Sequence, residues 1–402
     1  MSFRDFINKE LDDKLAEFSE HRERHAKSAT ELLASLLLLA QTPYAEIRRR
    51  FGDAENIGAF PAPEIETSQS FVFPFSISWP NHERARSWAA EILDDRTTFA
   101  ADGSQIYAGK ETSVPVAVIQ IGSFENPHNA DTDYEKATSV EVLSPADLFR
   151  DQEEPMNPDV RVAERRYLGE VAAIRDFLRK KKGWQERAER MPLAFFDNPL
   201  LVPFSQKGLQ KSLLEATVSL VDLSREAEVP LVGYVDRSFS RDLITMLAAF
   251  DPSVDPSERS VYDSWFLSAA APEGPPVLNS WGDRTSYCYS KRRGLSAFND
   301  TATGLSTVGF SYLQTTADSA PARLDIPAWV YEQGMLSELI DVVRAECVIG
   351  LGYPYPLETA DQTAVLSGQD REVFFRALQE FANREKLGFS VTRKDTSKAR
   401  RR

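Results

Sequence analysis

Histidine is scarce and lopsided in this chain: four among 402 residues, at positions 21, 25, 82 and 128. Beyond His128 no imidazole is available as a base or a metal ligand. Chemistry in the later two-thirds falls to carboxylates, Tyr, Lys, Arg or a bound metal. Cysteine is scarcer still, with Cys288 and Cys347 alone, which excludes a disulfide framework or a thiolate zinc site. No apolar run approaches the ~20 residues of a membrane span. The longest, 36–40 behind Leu32-Leu33, reads as helix core. The N-terminus, Met1-Ser-Phe-Arg-Asp-Phe, is interrupted by charge from its start, unlike a secretory signal. These absences set the expectation of a cytoplasmic protein with no membrane partner.

Positive charge is also in deficit. The net charge of −14 argues at first against a nucleic-acid partner. The cations are clustered, however, in Arg48-Arg-Arg50, Arg179-Lys-Lys-Lys182, Lys291-Arg-Arg293 and Arg400-Arg-Arg402. A nuclease needs a basic path to an acidic site, not a basic average. Each run taken singly also reads as a solvated face, and the 179–182 run suits the negative end of a helix dipole.

Apolar spacing predicts helices over 1–52, with Phe3, Phe6, Ile7, Leu11, Leu15 and Phe18 on one stripe and a second run over 29–51. Such an extension could brace the protein or form a dimer contact. Residues 58–67 are Pro-rich and linker-like, 70–79 has strand character, and 81–93 reads as a helix. Strands follow at 97–104, 113–122 and 139–143, then a helix over 158–182 with Tyr167, Val171, Ile174 and Leu178 on its apolar face. A strand at 191–197 is followed by alternating helices and strands. These include a strand at 229–235, strands near 285–289 and 307–313, a helix at 328–348 and a last helix at 370–386. The tail after Ser390 is basic and polar. The order strand–strand–strand–helix–strand, then helix and strand in turn, predicts an α/β fold with a mixed sheet.

Two strands end in an acid. One is Thr97-Thr-Phe-Ala-Ala-Asp102-Gly-Ser104, the other Met191-Pro-Leu-Ala-Phe-Phe-Asp197. Asp102-Gly is equally a hairpin-turn dipeptide. Yet acids on two strands flanking a helix fit an RNase H-like sheet, in which those strands lie side by side. The intervening helix offers Glu170, beside the buried stripe, with Glu164 as the alternative; a salt bridge to a neighbouring Arg is the plainer reading for either. Converging carboxylates suit Mg²⁺ or Mn²⁺. Two such ions about 3.5–4 Å apart would activate water and stabilise the leaving oxygen of a phosphodiester. Arg237 and Arg284 are candidate phosphate contacts or surface ion pairs.

The motifs Asp102-Gly-Ser104, Phe196-Asp-Asn-Pro199, Gly233-Tyr-Val-Asp-Arg-Ser238, Gly282-Asp-Arg-Thr285 and Gly352-Tyr-Pro-Tyr-Pro-Leu357 with Ala360-Asp361 occur in this order over about 97–368. In that order and spacing the chain resembles a bacterial member of the NurA nucleases. The resemblance implies an RNase H-like, Mn²⁺-dependent DNA nuclease of double-strand-break end processing, a homodimer working with the hexameric translocase HerA. It implies an N-terminal helical extension over 1–96, a nuclease domain over 97–368, and a C-terminal helix and basic tail over 369–402. Matched by motif, Asp102 and Asp197 are metal-binding acids, with Asn198 where a Gly usually follows, and Tyr353 is the Tyr of the late motif. Asp361 stands where archaeal members carry His; it could bind a metal but cannot act as an imidazole acid. The predicted catalytic set is therefore Asp102, Glu170, Asp197, Tyr353 and Asp361, with the four acids as ligands of Mn²⁺ or Mg²⁺. The alternative is a catalytically weak adaptor that keeps the fold and docks on the translocase.

Overall fold

A computed structural model describes residues 3–68, 70–109, 112–149, 157–201, 209–269 and 275–388. The expected basic tail and the Arg400-Arg-Arg402 run lie outside the described residues. The strands are β1 (Gly58–Pro61), β2 (Val72–Phe73), β3 (Thr98–Ile106), β4 (Ala117–Asn126), β5 (Glu135–Leu143), β6 (Leu193–Phe196), β7 (Leu231–Val235), β8 (Arg284–Thr285), β9 (Cys288–Lys291), β10 (Val308–Leu313) and β11 (Ala322–Pro327). Two units divide the chain: Met1–Ser78 with Tyr234–Tyr331, and Trp79–Gly233 with Glu332–Arg402.

In the second unit β3, β4 and β5 form an antiparallel meander. The helix Pro158–Lys181 then returns the chain so that β6 runs parallel to β3, and the helix Leu209–Ala227 does the same for β7 beside β6. The spatial order is β5-β4-β3-β6-β7. Numbered along the chain that is 3-2-1-4-5, the RNase H-like order, as expected from the acids on β3 and β6. Both crossovers are helices because parallel neighbours need a long return.

The helix Pro158–Lys181 starts where it does because Pro158 takes the first helical position and the Asn157 side chain accepts from the Asp159 amide. Its inner face buries Val162, Tyr167, Val171, Ile174, Phe177 and Leu178. Phe177 stacks on Phe99 of β3 at 4.7 Å. Gly169 lets helix and sheet close up: a Cβ there would lie 2.8 Å from Ile121 of β4. On the other side of β4, Gly122 meets the helix Tyr355–Ala364, where a Cβ would come 2.4 Å from the Ala364 amide. Ile121 and Gly122 are adjacent, so the strand alternation puts the two helices on opposite faces of the sheet.

In the first unit β1, β9, β10 and β11 pair antiparallel in that order, with β8 joining β2 to β10. The helices Phe3–Asp13, Leu15–Gln41 and Tyr44–Phe51 precede them, broken at Lys14 and at Pro43, so the N-terminal helices expected over 1–52 are present. Residues 58–67 are not a linker. They form β1 and the 3₁₀ turn Pro63–Thr67, and bury Ala59, Phe60 and Ile65. The expected strand over 70–79 shrinks to β2, and the helix expected over 328–348 is two, Ala328–Glu332 and Leu336–Ile349, with Gly334 at φ +76° between them. Strand β11 escaped the sequence reading because its alternating Arg323 and Asp325 look solvent-facing. All six of its residues are buried, and Arg323 pairs with Asp325 at 2.7 Å.

Candidate active site

Asp102 does not end its strand. The strand β3 continues to Ile106, and Asp102 sits within it opposite Gly122. The Asp102-Gly103 pair is therefore no hairpin turn. Gly103 has another use. A Cβ there would lie 2.5 Å from Arg166 Cγ and 2.8 Å from Glu170 Oε1. The missing side chain is what admits Glu170 of the helix to the sheet beside Asp102.

Glu170 is 1 % exposed. Its Oε2 accepts from the Asn198 side-chain amide at 3.1 Å. Its Oε1 is buried and makes no hydrogen bond; Arg166 Nε, likewise buried without one, stands 3.5 Å away. Burial first, then the charges of Asp102 and Asp197, push the Glu170 carboxyl up to about 8, against the opposing pull of Arg166 and Asn198. Burial also raises Asp102, to about 6. The Gly103 amide, donating to Asp102 Oδ1 at 2.7 Å, and Arg166 oppose the rise, while Asp197 and Asp361 add to it. Asp197 and Asp361 thus lie within electrostatic reach of Asp102, and Asp102 and Asp197 within reach of Glu170.

The alternative helix acid is committed elsewhere. Glu164 is buried against Arg161 and the Ser212 hydroxyl on the side facing Leu209–Ala227. Six residues apart on one helix, the two glutamates face different neighbours.

Asp197 is exposed just past the end of β6, and its Oδ1 accepts from the Tyr353 hydroxyl at 2.8 Å. Tyr353 reaches that point from a tight turn. Gly352 has φ +114°, and a Cβ on Gly350 would lie 2.0 Å from the Tyr353 carbonyl oxygen. The Gly-x-Gly pair thus shapes a turn and is no phosphate loop. Tyr355 opens the next helix, which carries Asp361 on an exposed position.

Arg166 and Asn198 were missed as site residues by sequence reasoning. Arg166 Nη1 donates to the Gly103 carbonyl at 3.0 Å, so it ties the helix to β3 next to Asp102. Its place four residues before Glu170 was the available cue. Asn198 was noted only as a departure from the usual glycine. Arg284, by contrast, is buried in a two-bond pair with Glu64 at 2.7 and 3.0 Å and is no phosphate contact.

The donor set is all hard oxygen, which suits a divalent ion of the Mg²⁺ or Mn²⁺ kind. Among the described residues no three acid, Cys or His side chains stand close enough to hold an ion as they are placed. The fit lies in the electrostatics: a buried Glu170 oxygen with no hydrogen bond and only a 3.5 Å approach from Arg166 Nε, set among mutually repelling acids, is what a cation would satisfy.

The model of the NurA domain matches residues 96–366. This chain belongs to the NurA family of nucleases. Solved structures similar to it include NurA with manganese, at 9 % identity over 72 % of this chain and 89 % of that one, TM-score 0.38. NurA bound to dAMP and manganese matches at 9 % identity over 71 % and 88 %, TM-score 0.33. The catalytic domain of human endonuclease V, with cysteines substituted, matches at 13 % identity over 74 % and 96 %, TM-score 0.32. No curated protein matches the chain. The NurA match spans all five residues of the expected catalytic set. No helix among the described residues is long and apolar enough to cross a membrane.

Proposed function

We propose that this NurA-family protein is a divalent-metal-dependent DNA nuclease that hydrolyses phosphodiester bonds, Mn²⁺ being the expected ion and Mg²⁺ the alternative. The observation that carries the reading is the buried Glu170 oxygen, which makes no hydrogen bond and whose ion pair to Arg166 is 3.5 Å long, within electrostatic reach of Asp102 and Asp197. Asp102, Glu170, Asp197 and Asp361 would hold the metal. When bound, it would supply an activated water and stabilise the leaving oxygen. The chain's own residues do the rest. Gly103 admits Glu170 to the sheet, Asn198 fixes one of its oxygens, and Arg166 joins helix to strand. Tyr353 orients Asp197 through its hydroxyl. On this reading the protein trims DNA ends in double-strand-break repair, as a homodimer with a HerA-type translocase.

The test is cleavage of end-labelled single- and double-stranded DNA with Mn²⁺, Mg²⁺ or EDTA. Asp102→Asn and Asp197→Asn should each abolish metal-dependent cutting and leave the circular dichroism spectrum unchanged. Cutting at wild-type rate by both variants would refute the site. A second reading, a non-cutting adaptor on the translocase, is favoured by Asp361, since no histidine follows His128 to protonate a leaving group. Wild type that binds no Mn²⁺ in calorimetry and cuts neither alone nor with the translocase would select it.

A further inference from the structure

In the first unit, Phe239 is 73 % exposed, the most exposed aromatic among the described residues after Phe3. Exposed phenylalanines are ordinary on loose loops, but this one is not on a loose loop. On one side of it the Ser238 carbonyl accepts from the Ser264 hydroxyl at 2.7 Å. On the other the Ser240 carbonyl accepts from the Asp263 amide at 2.9 Å. The Ser240 hydroxyl donates to Asp242 at 2.9 Å and accepts from Arg292 and Arg323 at 2.7 Å each. Asp242, Asp263 and Arg323 are themselves buried. Burial works against the charge of Asp242, yet Arg323 and Arg292 hold its carboxyl down at about 2, so the anchor keeps its charge. The backbone on both sides of Phe239 is thus locked into a polar core while the ring is left in solvent, edge to face with Tyr262 at 5.0 Å.

The same anchor gathers cations. Arg292 binds Ser240 and Asp242 from just past the end of β9, so the Lys291-Arg-Arg293 run is tied to the anchor of the Phe239 loop through its central residue. Arg293 and Arg237 are exposed; Lys291 bonds the Gly304 carbonyl at 3.1 Å. Residues 236–242 hold two Arg and two Asp, and 291–293 hold three cations, which leaves +3 in a chain of net −14. A rigid aromatic face flanked by cations is the chemistry that binds unpaired bases on a phosphate backbone.

We propose that residues 237–241 and 291–293 form a binding surface for single-stranded nucleic acid, in which Phe239 stacks on a base and Arg237 and Arg293 meet flanking phosphates. That the nucleic acid is DNA rests on the nuclease reading above. The surface is fixed before binding, so little ordering entropy opposes the contact.

The test is fluorescence anisotropy of labelled dT and U 20-mers and a blunt duplex with the full chain in EDTA, where no cutting interferes. Phe239→Ala should weaken dT binding about tenfold, on the order of 1.4 kcal/mol. Phe239→Trp should restore it. Arg293→Ala should lower the slope of log affinity against log salt by about 0.7, one phosphate contact. Phe239→Ala binding dT within twofold of wild type overturns the proposal, as does a Trp variant as weak as the Ala variant. A change of oligomeric state with DNA binding intact would make the ring a protein contact instead and equally overturn it. Tighter binding of U than of dT overturns the assignment to DNA. Asp102→Asn, assayed in parallel for metal-dependent cutting, separates the two readings: if it cuts like wild type the active site falls, while this surface stands or falls on dT binding by Phe239→Ala.

Discussion

Replacing Glu170 by Gln should make the metal-free protein more stable at high pH. Glu170 ordinarily titrates at 4.5 and here is pushed up to about 8 by burial and by Asp102 and Asp197. The folded chain therefore holds this proton more tightly than the unfolded chain does. Below pH 4.5 both forms are protonated and the residue costs nothing. Between 4.5 and about 8 stability falls as pH rises, and above about 8 the whole penalty is present. At 1.36 kcal/mol per pH unit the penalty is on the order of 5 kcal/mol, an upper bound once local relaxation is allowed. Gln is nearly isosteric and uncharged, so the variant should match wild type at pH 4.5 and exceed it progressively to pH 9. The assay is urea unfolding in EDTA at pH 4.5, 7 and 9, repeated with Mn²⁺. With Mn²⁺ the order should reverse, because wild type gains stability from the ion and the Gln variant gains less. A wild type whose stability does not fall between pH 5 and 9, or a Gln variant no more stable than wild type at pH 9, would refute the reasoning. Calorimetry gives a second check: at pH 7 a carboxyl titrating at about 8 is roughly nine-tenths protonated. Mn²⁺ binding through Glu170 should then release about 0.9 proton, read from the dependence of binding heat on buffer ionisation enthalpy.

Three further outcomes are expected. Gly103→Ala drives a methyl into Arg166 and Glu170, with contacts of 2.5 and 2.8 Å, and should cost about 1–3 kcal/mol in urea unfolding and displace Glu170 enough to cut cleavage at least tenfold. Tyr353→Phe removes one hydrogen bond to Asp197 and should slow cleavage about tenfold at unchanged thermal midpoint; wild-type rate would show that the hydroxyl does not orient the acid. His128 pairs with the fully buried Glu346 at 3.3 Å, and although burial opposes its charge, Glu346 raises its pKa. Its contribution should be complete below pH 6.5 and disappear as pH rises through the raised folded value, and His128→Ala should cost about 3 kcal/mol at pH 6 by urea unfolding.

Much of the fold was legible because long periodic segments declare themselves. The helix Pro158–Lys181, the apolar runs of β3, β4 and β6, and the acids in β3 and just past β6 were all readable from the sequence, and with them the RNase H-like order. Elements whose burial depends on pairing were not. The strand β11 carries Arg323 and Asp325 into the core because each neutralises the other, and no local pattern announces that. Residues 58–67 read as a linker from their prolines, yet Gly58 is pressed against the Asp242 carbonyl, where a Cβ would stand 2.3 Å away.

The same division holds within the candidate site. Residue order alone fixes which acids exist, how far apart they lie along the chain, and that no late histidine can share their work. Packing alone distinguishes Glu164 from Glu170, because both lie on one helix and differ in what each faces: Arg161 and Ser212 for the first, Gly103 and Asn198 for the second. Only it made Asn198 a partner of Glu170 and Arg166 a bridge to β3. Spacing records which face of an element a residue occupies; the partner on that face comes from another part of the chain, brought there by the packing of helix on sheet.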